Sequence, residues 1–277
     1  MESGSPSFIS SARSARPPIA ILSYHQTAEP PPPGTPVRDL VLPPAQFARQ
    51  MRALKLIGYR GLSMRDLQPY LRGEKIGRVV GITFDDGYLN NFEHALPVLR
   101  ELGFTATVFM VSAQIGGTNA WDHEHGVPSA PLMEVAHLKA WMAAGMEVGG
   151  HTRHHVNLLQ ADDATARAEI TGCKQDLEQA LGVPIRSFCY PYGGHRAEHG
   201  EMARQAGYEM ATTIVSSRTR ADDDMLLLPR ISVHLEDRLP VLLLQVATGF
   251  EDWRLGRAKN RSRPNTRWTM PRRVQAG

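Results

Sequence analysis

Val79-Val80-Gly81-Ile82-Thr83-Phe84-Asp85-Asp86-Gly87 is the stretch on which the reading of this chain turns. Six apolar and β-branched residues predict a buried strand, and Asp85-Asp86-Gly87 closes it with two adjacent carboxylates and a glycine suited to a sharp exit. Side chains alternate along a strand, and its last residues can splay into the mouth of a barrel, so neighbouring carboxylates there need not share a task. Taken alone, Asp-Asp-Gly is equally well a turn with a helix-capping Asp.

Two further segments bear on that choice. His151-Thr152-Arg153-His154-His155 follows Glu147-Val148-Gly149-Gly150, itself a predicted strand. If these five residues form a helical turn, His151 and His155 share a face at a spacing that suits two imidazoles on one ion, and His154 points elsewhere. Eleven histidines in 277 residues make such a spacing common by chance, so its position after a strand matters more than the spacing itself. Arg186-Ser187-Phe188-Cys189-Tyr190-Pro191-Tyr192-Gly193-Gly194 reads as a strand entering a turn. Backbone N–H groups in such a turn can face a cleft and stabilise an oxyanion, although for this segment in isolation an ordinary turn with Tyr190 or Tyr192 packed as core is the favoured reading.

Strand-like and helix-like segments alternate around these motifs. The expected series is strand Ile19–His25, helix Pro44–Ile57, strand Val79–Phe84, helix Asn90–Leu102, strand Thr105–Val111 and helix Glu134–Ala144. Strand Glu147–Gly150, helix Ala164–Leu181, strand Ser187–Tyr190, helix Ala197–Ala206, strand Tyr208–Ile214 and strand Leu226–Val233 follow. Alternation of this kind specifies parallel strands with right-handed crossovers. Seven or so strands with chemistry at their carboxyl ends predict an α/β fold, a (β/α)7-type barrel in a single domain. Gly116 to Pro131, containing Trp121, is long for a connection and is expected to be a substrate wall or a lid at the rim. His123 and His125 are expected to face solvent.

Composition bounds the remainder. With 42% hydrophobic residues the chain can bury one large core. No apolar run reaches the ~18–20 residues of a membrane span, and Met1 to Arg16 lacks the apolar centre of a signal peptide, so the reading is cytoplasmic. Cys173 and Cys189 are too few for a disulfide framework. Of the 31 basic residues, eight lie in the last 24 positions without an acidic one, leaving 23 against 28 acidic residues elsewhere. The expected organisation is therefore a flexible segment 1–17, a catalytic domain 18–253 and a disordered basic tail 254–277, with no nucleic-acid partner.

Thr83-Phe84-Asp85-Asp86-Gly87, His151-Thr152-x-x-His155 and Tyr190-Pro191-Tyr192-Gly193, in that order, resemble the first three motifs of the polysaccharide deacetylases, the NodB-homology or carbohydrate esterase family 4 domain. The resemblance extends over roughly residues 18–250 and implies that the (β/α)7-type barrel is distorted. It implies a metal-dependent hydrolase that removes acetyl groups from N- or O-acetylated sugars of a glycan, with Asp85 as general base and Asp86, His151 and His155 as ligands of one divalent ion, zinc before cobalt or nickel. It implies also that the Tyr192 N–H serves the oxyanion. The family's Leu-x-His motif near the carboxyl end has no good copy here, Ile231-Ser232-Val233-His234 being the nearest. The chain instead opens with Ile19-Ala20-Ile21-Leu22-Ser23-Tyr24-His25, which resembles the circularly permuted branch typified by poly-β-1,6-N-acetylglucosamine deacetylases, in which that first-strand histidine is the general acid. The resemblance therefore implies that role for His25. Arg230, in Leu228-Pro229-Arg230-Ile231, is expected to orient Asp85, and Tyr190, Pro191 and Trp121 to line or support the substrate site. Two other classes remain: an inactive carbohydrate-binding barrel, and a non-haem iron oxygenase, whose usual His-x-Asp pattern is absent.

Overall fold

The computed structural model describes residues 16–248 and 250, so the basic tail expected at 254–277 and most of the segment 1–17 lie outside the described residues. The chain begins with β1 (Ile21–Tyr24), β2 (Gln26–Thr27), β3 (Val41–Leu42), α1 (Pro44–Leu56), β4 (Arg60–Leu62) and α2 (Met64–Leu71). It continues through β5 (Val79–Phe84), α3 (Leu96–Leu102), β6 (Thr107–Met110), α4 (Val135–Ala143) and β7 (Glu147–Gly150). The last elements are α5 (Asp163–Leu181), β8 (Ser187–Cys189), α6 (Ala197–Ala206), β9 (Met210–Thr212), β10 (Ile231–Ser232) and α7 (Leu239–Ala247).

The main sheet runs β10-β1-β5-β6-β7-β8-β9, every pairing parallel, with β4 beside the first half of β5. Its two ends approach each other through one segment. Leu228 bridges Thr212, exchanging hydrogen bonds with Ala211 and Thr213 at 2.9 Å each, and three residues later Ile231 pairs with Leu22. The strand expected over Leu226–Val233 is thus regular only at Ile231–Ser232. Pro229 has no N–H to give to a ladder, and the chain changes partner there from β9 to β1. The result is the parallel barrel that the alternation predicted, with the distortion that the resemblance implied.

Parity along the strands decides what lines the barrel. Leu22, Tyr24, Val80, Ile82, Phe84, Val108, Met110, Val148 and Phe188 join the large core under the surrounding helices. Their odd-numbered neighbours Ile21, Val79, Phe109 and Cys189 belong to a separate inner cluster with Met64, Leu67 and Leu71 of α2, which plugs the amino end of the barrel. Sequence reading passed over both β4 and α2, one a three-residue strand containing Gly61, the other an eight-residue helix containing Pro69. The helix read over Asn90–Leu102 is present and opens with a five-residue π turn, Asn91–Ala95.

The inner layer is tight enough to require a glycine. A Cβ on Gly149 would lie 2.6 Å from the Phe109 ring and 2.8 Å from the Ser187 carbonyl oxygen. Among the described residues no helix is long and apolar enough to cross a membrane. Gly149→Ala should therefore destabilise the fold by about 1–3 kcal/mol through overpacking, read as a lower midpoint in urea unfolding. An unchanged midpoint would show that the inner layer can yield.

Candidate active site

The odd-numbered, inward positions lead up to the carboxyl rim. On β5 they are Gly81, Thr83 and then Asp85, and past β1 they reach His25. Alternation alone would send Asp86 outward. Instead Asp86 has φ +73°, in the left-handed region, and its carboxylate enters the same site. Gly87 follows at φ +84°, where a Cβ would strike the Met110 sulfur at 2.2 Å, so the Asp-Asp-Gly exit tolerates no larger residue without displacing that side chain.

Asp86 Oδ1 lies 3.4 Å from His151 Nε2 and 3.2 Å from His155 Nε2, all three residues being buried. Two donors each about 2.1 Å from a tetrahedral ion stand about 3.4 Å apart, so these residues fit one zinc-like cation. The second ring nitrogens support the same reading. His151 Nδ1 donates to the Cys189 carbonyl at 2.8 Å, which leaves its Nε2 lone pair free for a metal. His155 Nδ1 faces the Tyr192 hydroxyl at 3.1 Å, and its ring is held between Trp121, stacked at 4.6 Å, and the edge of Tyr192, also at 4.6 Å.

The expected helical turn at 151–155 is not present. Thr152 and His155 both have positive φ, 61° and 58°, and the segment is a loop. Left-handed residues on either side of Arg153-His154 bring the two imidazoles together as a helix would, which is why the spacing misled about the backbone.

Asp85 is separated from that cluster by its partner. Both its oxygens accept from Arg230, Nη1 to Oδ1 and Nη2 to Oδ2 at 2.7 Å each, and the guanidinium is fully buried. Burial pushes the Asp85 carboxyl up, but the charge and hydrogen bonds of Arg230 outweigh it, and the net shift is downward. The Asp85, His151 and Cys189 side chains also cluster closely enough for a metal, but the Arg230 guanidinium already neutralises that carboxylate. For Asp86, burial again acts upward, while hydrogen bonds from His151 and His155 hold it well below the usual carboxylate range.

His25 Nε2 stands 4.0 Å from Asp85 Oδ2, and burial lowers its pKa more than the nearby carboxylates raise it. The Asn91 amide donates to the His25 carbonyl at 2.6 Å, linking the residues after Asp85-Asp86 to the end of β1. His234 is elsewhere, paired with Asp39 at 3.1 Å.

Tyr190 does not join the site. Its hydroxyl donates to the Leu226 carbonyl at 3.0 Å and its ring packs edge-on against Phe188, because the strand's even positions face the helices. Pro191 is buried in the turn, and Tyr192 has φ +56° within it. His123 is exposed, and among the described residues neither it nor His125 belongs to a metal-competent cluster. The connection Gly116–Pro131 carries structure of its own. It contains a six-residue 3-10 turn, Ala120–His125, and the buried Asn119 side chain bonds Pro128 and Ala130 at 3.1 and 2.7 Å.

The sequence profile of the polysaccharide deacetylases matches residues 72–211. The chain belongs to the polysaccharide deacetylase family. It is 27% identical over 217 residues to YxkH of Bacillus subtilis (strain 168), a protein with a provisional polysaccharide deacetylase name, covering 78% of this chain and 71% of that one. A Staphylococcus aureus poly-β-1,6-N-acetyl-D-glucosamine N-deacetylase is 21% identical, covering 71% and 69%. IcaB from Ammonifex degensii superposes with a TM-score of 0.71 at 25% identity, covering 83% and 97%. The Streptococcus pyogenes deacetylase PplD shares the fold, with a TM-score of 0.72 at 24% identity, covering 83% and 99%.

Three features of this deacetylase domain were not singled out from the sequence: the Tyr192 hydroxyl beside His155, the Cys189 sulfur 3.0 Å from Arg230, and Asp122. Strand parity would have placed Cys189 inside. The Asp122 carboxyl is pushed up to about 7 by burial and then by the charge of Asp86. A carboxyl raised in the folded state keeps a proton that the unfolded chain releases near pH 4, so stability falls as pH rises from about 4 to 7. In the metal-free protein, Asp122→Asn should melt at a higher temperature than the parent at pH 8 and at the same temperature below pH 4, by calorimetry. Equal midpoints at pH 8 would contradict the raised carboxyl.

Proposed function

We propose that this protein is a metal-dependent deacetylase of glycans, hydrolysing N-acetyl groups of amino sugars in a polymer of the β-1,6-linked glucosamine kind. The reading rests above all on the separation of two adjacent carboxylates, Asp86 turned to two imidazoles and Asp85 gripped by Arg230. Membership of the family supports the reaction, and the likeness to a Staphylococcus aureus protein named for that polymer's deacetylation supports the substrate.

Asp86, His151 and His155 would hold the ion. When bound, a divalent cation lowers the pKa of its water and polarises the acetyl carbonyl. Asp85 takes the proton of the attacking water. Arg230 occupies both carboxylate oxygens and keeps Asp85 ionised and oriented for that transfer. The backbone N–H of Tyr192 donates to the oxyanion that develops on the acetyl group. His25, on the other side of Asp85, gives a proton to the departing amine, which leaves poorly without one. Trp121 and Tyr192, flanking His155, present aromatic faces of the kind on which sugar rings pack.

Acetate release from N-acetylated β-1,6-glucosamine oligomers, and from an O-acetylated panel, tests the reading directly. Zinc, cobalt or nickel should restore activity to chelator-treated protein. Absence of acetate from every substrate with every metal would leave the inactive carbohydrate-binding barrel as the better account.

Asp85→Asn should retain the ion and lose about 10²–10⁴-fold in turnover, the usual cost of a missing base. His25→Ala should lower turnover while sparing metal affinity and should alter the alkaline limb of the pH–rate profile. Near-normal kinetics in either variant would reassign that role.

A further inference from the structure

The segment that carries both imidazoles has no helix or strand of its own. Left-handed conformations at Thr152 and His155 cost roughly 1–2 kcal/mol each for residues with a Cβ, so the surroundings must hold them. One side is secured by the end of β6. His151 N–H donates to Met110 at 2.9 Å, and Ser112 and Ala113 N–H donate to the Thr152 and Arg153 carbonyls at 3.2 and 2.9 Å.

The other side rests on α5. Glu169, only 7% exposed, accepts the backbone N–H groups of Arg153 and His154 on one oxygen, Oε2, at 2.9 and 3.0 Å. Its other oxygen accepts His154 Nδ1–H at 2.7 Å. One turn further on, Gly172 leaves room for the Arg153 side chain, since a Cβ there would fall 2.5 Å from Arg153 Cδ. That side chain ends in a two-pronged contact with Asp176, Nε and Nη2 donating at 2.8 and 2.9 Å. Among the described residues Glu169 belongs to no metal-competent cluster, so its carboxylate serves the loop.

We infer that Glu169 is a positioning residue whose carboxylate holds the His151–His155 loop in the one conformation that presents both Nε2 atoms to a single cation. The inference rests on the metal reading proposed above. Without this acceptor, two adjacent N–H groups lose their partner and the strained loop is no longer preformed. Ordering it then falls to metal binding, and the cost emerges as weaker affinity, since an ion binds only the competent fraction of conformers. Partners that orient metal ligands from behind typically change affinity by about 10–100-fold.

Glutamine at this position separates geometry from charge. Its amide oxygen can accept both backbone N–H groups, while its NH2 meets the other tautomer of His154. Aspartate keeps the charge and is one methylene short.

The test is a zinc titration of the metal-stripped full chain against a chromophoric chelator, with Glu169→Ala, Glu169→Gln and Glu169→Asp alongside the parent, each also melted. Glu169→Ala should bind zinc about 10–100-fold more weakly, and Glu169→Gln within a few-fold of the parent. A lower melting temperature in Glu169→Ala with unchanged zinc affinity would reduce Glu169 to a structural residue and overturn the inference. So would Glu169→Gln binding as poorly as Glu169→Ala. If Glu169→Ala does not fold, Glu169→Asp decides: weaker binding supports the inference and unchanged affinity overturns it. A parent chain that binds no zinc would defeat the metal reading instead, an outcome distinct from all of these.

Discussion

A guanidinium with no exposed surface sits where the barrel closes, and much of the molecule is arranged to keep it there. Arg230 donates to the Thr213 carbonyl and the Thr83 hydroxyl at 3.0 Å each, to both Asp85 oxygens, and to the Cys189 sulfur, while its plane lies 5.8 Å over the Phe109 ring. Five donors in a fixed fork thus bind β5, β8 and the residue after β9 to the segment that leads into β10. A buried charge left without its partner is heavily penalised, on the order of 3–5 kcal/mol, so closure of the sheet and orientation of Asp85 are one interaction. It also explains how adjacent carboxylates diverge. Asp85 has both oxygens committed to a cation already present, and Asp86, turned by its positive φ, faces the imidazoles.

Much of this was legible because a parallel barrel writes two codes into its sequence. Apolar β-branched runs mark the strands, and chemistry at their carboxyl ends marks the rim. Val79–Phe84 and Glu147–Gly150 were legible to the residue for that reason. Other parts had weaker local signals. Arg60–Leu62 is stabilised by pairing with β5 and not by its own composition, and Met64–Leu71 is a helix because Ser63 caps it and the barrel end receives Leu67 and Leu71. The spacing of His151 and His155 is compatible with a helical turn and with a loop bent at two left-handed residues, and only tertiary contacts distinguish these. Tyr190 was ambiguous until parity assigned it outward.

The site draws on side chains from His25 to Arg230, so it exists only when the first strand and the last have met across the barrel. Long-range pairing of this kind pays loop-closure entropy before contacts repay it, and folds of such topology form slowly compared with helical bundles. His25 lies at the end of β1, which pairs with β5 on one side and with β10 on the other. The Asn91 side-chain NH2 then ties the His25 carbonyl to the turn after Asp85-Asp86, and the oxygen of the same side chain accepts from the Thr27 hydroxyl at 2.9 Å.

Of the five non-glycine residues held left-handed among the described residues, four, Asp86, Thr152, His155 and Tyr192, lie at the rim, Val37 being the fifth. Backbone strain concentrated this way is a reservoir placed by function, and it makes the protein's thermostability and its chemistry compete for the same positions. A laboratory search that rewarded heat resistance alone would be drawn to relax these dihedrals, since each is a local fault in an otherwise regular barrel. Variants selected so would come back sturdier and with the rim's geometry blurred. The durable improvements should instead be found on the outer faces of the helices, remote from the mouth of the barrel.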